Sequence, residues 1–109
     1  MLKAALVLKN GLLESCGISG HAGAGPKGAD IVCAAVTVLA RTAYSTLSGR
    51  NGIAVQGDFP ERGEFFLEVT GIDPENTEFV SGITNFLCEG LSSVSDEFPD
   101  HCMVRIERL

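Results

Sequence analysis

The chain has 109 residues, 45% of them hydrophobic, so it forms one domain, residues 1–109, with a real core rather than a disordered segment. Its formal net charge of −6 argues against direct nucleic-acid binding, which needs clustered Lys and Arg, and favours basic partners instead. The four cysteines, Cys16, Cys33, Cys88 and Cys102, form no C-x-x-C pair and have no histidine at zinc-finger spacing, so neither a metal nor a cofactor is expected.

Residues 1–9 are too short for a signal-peptide core, and no apolar run approaches the ~20 residues that span a bilayer. The expectation is a cytoplasmic protein with reduced thiols and no membrane partner.

Residues 2–9 are a compact apolar run that reads as a first strand. Asn10-Gly11 follows, a strong hairpin signal because both turn residues take positive φ. Residues 12–20 return as a second strand. Leu13, Ser15, Gly17 and Ser19 share one side, and Leu12, Glu14, Cys16 and Ile18 the other, which leaves its packed face open.

Gly20-His21-Ala22-Gly23-Ala24-Gly25-Pro26-Lys27-Gly28 is a glycine-rich loop, expected to be mobile. Asp30 is placed to cap a helix over about residues 31–47, with Gly49 as its C-terminal signal. From Ile31 to Ala40 that helix is apolar all round except for Thr37. It should be covered by a sheet on one face and by another helix or a second subunit on the other.

Ile53 and Val55 suggest a third strand. Phe65, Leu67 and Val69 alternate with polar neighbours in a half-buried fourth. Asp73-Pro74 is a capping pair, and Phe79, Ile83, Phe86, Leu87, Leu91 and Val94 recur at helical spacing to about Glu97. Cys102, Val104 and Ile106 mark a final strand. The order ββαββαβ implies an α+β fold, a mainly antiparallel sheet with two helices packed on it.

Cys33 falls near the start of the first helix, where unpaired N–H groups and the macrodipole favour a thiolate. His21, twelve residues earlier across the glycine loop, is in reach to act as its general base, and the free N–H groups can receive an oxyanion. Asp30 has two available roles: it caps the helix, or it orients His21 as a third member of the group. Against this stands the ordinary fate of a cysteine in an apolar run, which is to pack. The histidine, the glycine loop and the helix start together favour chemistry. Cys16 and Cys88 read as packing residues, and no phosphate-binding G-x-x-x-x-G-K-[ST] is present.

Gly20-His21-Ala22-Gly23 followed by Asp30-Ile31-Val32-Cys33-Ala34-Ala35-Val36 resembles the signature of the bacterial ribosomal-processing cysteine protease family. The resemblance implies that His21 and Cys33 are a catalytic dyad, that Asp30 belongs to the same motif, and that Gly20, Ala22, Gly23, Gly25 and Gly28 form a loop that orders over the substrate. It implies a homodimer that removes the N-terminal extension of a large-subunit ribosomal protein, cutting beside aromatic residues. Ala24-Gly25-Pro26-Lys27 lacks the aromatic residue of the family's loop. Thr37 stands where the family has serine, and keeps its hydroxyl in a supporting position. The alternative from another class is a non-catalytic ferredoxin-like ligand-binding or regulatory module, since the order without its first strand is βαββαβ.

Overall fold

The computed structural model describes residues 1–20, 27–59 and 64–109, with the side chains of residues 27–30 outside the description. Strand β1, Leu2–Lys9, turns through Asn10 and Gly11 into β2, Leu12–Ser19. Both turn residues have positive φ, 54° and 78°, as the Asn-Gly pair predicts. Helix α1, Lys27–Ser48, leads to β3, Ile53–Asp58, and β4, Phe65–Ile72. Helix α2, Thr77–Glu97, leads to β5, Cys102–Arg108.

The sheet order is β3-β4-β2-β1-β5, antiparallel throughout except for the parallel pair β1 and β5. The ββαββαβ expectation therefore holds. The first strand is not an appendage on an edge: it lies between β2 and β5, inside the sheet.

A bulge settles which face of β2 is packed. Val7 pairs with Ser15, but Leu8 pairs with Leu13, so Glu14 is the extra residue. One inserted residue reverses the alternation. Leu13 before it and Cys16 and Ile18 after it consequently all face the core, with Leu2, Leu6, Leu8 and Leu67.

α2 sits on the sheet through Val80, Thr84, Leu87, Cys88 and Leu91. The buried Thr84 hydroxyl donates to the Val80 carbonyl at 2.7 Å and accepts from the Leu13 amide at 2.9 Å, which leaves no unmet polar group at that crossing. The Asp73-Pro74 pair opens differently from expectation. Pro74–Asn76 form a 3-10 turn ahead of α2, and Asp73 makes no side-chain capping bond. Asn76 is buried there because it fixes the turn before β3. Its Nδ2 donates to the Asn51 carbonyl at 2.8 Å, and its Oδ1 accepts from Arg50 Nε at 3.0 Å.

α1 also departs from expectation. It begins at Lys27, four residues early, so Asp30 lies within its first turn and is not its cap. A cap residue and an acidic first-turn residue are both favoured at a helix start, and the choice between them is not written in composition. The segment Ile31–Ser48 has a mean hydropathy of 1.4, long and apolar enough by that measure to cross a membrane. Here it is a core helix: Val32, Val36, Ala40, Ala43 and Leu47 are buried on the sheet. Its outward side is not covered. Ile31 is 56% and Val38 62% exposed, and Phe86 on α2, which lines the same groove as Val38, is 71% exposed.

Candidate active site

With roughly 3.6 residues per turn, α1 has three long sides. The first is the buried row just named. The second meets α2, where Leu39 lies so close to Gly90 that an added Cβ would stand 3.0 Å from it. The third flank, on the far side from α2, carries Cys33, Thr37, Arg41 and Tyr44.

Two contacts fix what this third flank faces. The Tyr44 ring covers Gly57 of β3, with a ring carbon 2.5 Å from where a Cβ would be. The Arg41 guanidinium lies 5.3 Å from the centroid of Phe59, just after β3. Phe59 in turn packs edge-on against Tyr44 and tilted against Phe65, with centroids 5.4 and 4.6 Å apart. Tyr44 is three turns beyond Cys33, so the two project from α1 in nearly the same direction. Cys33 therefore faces the β3 side of the molecule, away from α2.

Cys33 is half-buried against the edge of the core, whereas Cys16, Cys88 and Cys102 are buried. Burial raises all three buried thiols above the ordinary value, which holds them protonated. Cys16 is pushed up to about 12, by burial first and then by neighbouring Cys88. Burial raises Cys88 and Cys102 as well. The expectation that Cys16 and Cys88 are packing residues agrees with this.

The longer helix changes the electrostatic argument. Cys33 is the seventh residue of α1, one turn further in than expected, and the dipole's influence falls off within the first turn. Cα–Cβ bonds tilt towards the helix start, however, so a side chain at position 33 lies back over the turn that contains Ala29 and Asp30. Thr37 is one turn further along the same flank and half-buried.

Gly20 closes β2 with φ 94°, and a Cβ there would overlap the Met1 carbonyl oxygen. Its glycine is required by the fold itself, whatever else the loop does. His21, Ala22, Gly23 and Gly25 lie outside the described residues. Gly28 and Asp30 are described only as backbone in the first turn of α1. The sequence reading missed Arg41, Tyr44 and Phe59. The spacing of Tyr44, three whole turns after Cys33, is the signal that would have placed it on this flank.

A family model described as cysteine protease Prp matches residues 1–103. SMU.848 from Streptococcus mutans has a similar structure, with TM-score 0.81 and 27% identity over 100% of this chain and 96% of that one. The ribosomal processing protease Prp from S. aureus, in complex with a covalently linked product peptide, gives TM-score 0.79 at 17% identity over 98% of this chain and 100% of that one. The same protease with a substrate peptide gives 0.78 at 18%, with the same coverage. No curated protein matches the chain.

Proposed function

The chain belongs to the Prp family of cysteine proteases, and from that premise we propose that Cys33 and His21 form its catalytic pair and that a ribosomal protein is its substrate. The observation that carries the assignment is the contrast among four thiols. Three are buried and held protonated, and Cys33 alone is half-exposed, on the flank of α1 turned away from α2.

In this reading the Cys33 thiolate attacks the carbonyl carbon of the scissile peptide bond. The carbonyl electrons move to oxygen, and the free N–H groups at the start of α1 stabilise that charge. His21, having taken the thiol proton, returns it to the departing amine as the C–N bond breaks. Water, deprotonated by His21, then cleaves the thioester and regenerates the thiol. Asp30 orients the imidazole, Thr37 supports the flank behind the sulfur, and Gly20, Ala22, Gly23 and Gly25 belong to the segment that covers the substrate, whereas Gly28, expected in that loop, lies in the first turn of α1.

The description of the S. aureus protein as a ribosomal processing protease supports a ribosomal protein as substrate. Removal of the N-terminal extension of a large-subunit ribosomal protein, with cutting beside aromatic residues, is the finer reading we propose from the sequence resemblance. A net charge of −6 suits a basic substrate. The same reading places the enzyme in the cytoplasm, where that substrate is made. It also makes the enzyme a homodimer, because the exposed Val38 and Phe86 border an apolar groove of about 260 Å³ between α1 and α2.

Incubation of the protein with the host's ribosomal proteins, with mass mapping of the products, tests the assignment. One cut near a single N-terminus is expected. Cys33→Ala should slow it by on the order of 10⁴-fold or more, the usual scale for removing a nucleophile. Unimpaired cleavage by that variant would overturn the assignment.

A further inference from the structure

We propose that the peptide substrate binds as an added strand on the free edge of β3, beneath the Cys33 flank of α1. This rests on the proteolytic reading above and specifies how that site holds its substrate.

β3 pairs with β4 alone, so among the described residues one side of its backbone has no strand partner. Such a row of N–H and C=O groups is a template for an extended peptide, and proteins usually block it with lysine, proline or a bulge. Ile53, Ala54, Val55, Gln56, Gly57 and Asp58 include no lysine, arginine or proline. A bulge is present, but between Ala54 and Val55, at the end far from Cys33. The stretch from Val55 to Asp58, nearer the thiol, is regular.

The directions agree as well. Tyr44 meets Gly57 and Arg41 meets Phe59, so moving back along α1 corresponds to moving forward along β3. Cys33 lies eight residues before Arg41, ~12 Å along the helix axis. An extended peptide covers that in about four residues. A peptide paired with Val55 to Asp58 and continued past Phe59 therefore reaches Cys33 about four residues later. The other free edge, β5, is four strand positions away, ~19 Å across the sheet. It has no such relation to the thiol.

Hydrogen exchange of the Cys33→Ala protein, with and without a synthetic peptide spanning the cut mapped in the cleavage assay, tests this. At saturating peptide, alternate amides within residues 55–58 should exchange at least about fivefold more slowly, the effect of one net hydrogen bond. Truncating the peptide four or more residues from the cut, on one side only, should raise KM and leave kcat nearly unchanged. Protection confined to β5 or to the α1–α2 face would overturn the β3 proposal, and so would β3 protection that appears without peptide as protein concentration rises. A failure of the proteolytic reading is distinguishable, since it appears earlier, as no mapped cut.

Discussion

At Gly20 a single backbone angle decides which residue is allowed. The chain leaves β2 there with φ 94°, and the Met1 carbonyl occupies the space of a side chain. Gly20→Ala should lower stability by ~1–2 kcal/mol from the left-handed backbone alone, with the overlap adding to it. Urea unfolding measures this, and an unchanged midpoint with an unchanged slope would contradict it. Cys33 could be singled out from sequence because its neighbours in the chain, a histidine, a glycine loop and a helix start, are unusual company for a packing residue. The aromatic group of Tyr44, Phe59 and Phe65 was not legible in the same way. Those residues come from three separate stretches of the chain, α1, the residue after β3, and β4, and only tertiary packing brings them together.

Among the elements, what was legible followed the strength of the local signal. The Asn10-Gly11 turn and the alternation of Phe65, Leu67 and Val69 were both readable because one backbone geometry satisfies each. The packed side of β2 was not, because the bulge at Glu14 breaks the alternation on which such a reading depends. The start of α1 was misplaced by four residues because Asp30 serves a first turn as well as a cap. The expectation that α1 is covered by a sheet on one face and by another helix or a second subunit on the other is met by the sheet and α2, and the remaining outer side is bare at Ile31 and Val38. In the proposed dimer that side packs on a second copy. Phe86→Asp should then yield a monomer with an unchanged fold, since Phe86 is 71% exposed and takes no part in the core. Analytical ultracentrifugation separates the outcomes: a variant that sediments like the parent dimer would remove this face from the interface.

For the whole molecule, the sheet and the two helices sort four similar thiols into two classes. Cys16 and Cys102 lie in strands and Cys88 in α2, all three buried and raised by burial, with Cys16 near 12. At pH 7 burial holds these thiols in the protonated form, which leaves them inert to alkylation while the fold persists. Cys33 is set apart by its position on the α1 flank that faces β3. Treating the native protein with iodoacetamide at pH 7, and following cleavage activity alongside mass mapping of all four cysteines, probes that division directly. The account predicts that Cys33 alone is modified at early times and that activity falls in step with it. Full activity after complete alkylation of Cys33, or a loss that tracks Cys16, Cys88 or Cys102 instead, would contradict it.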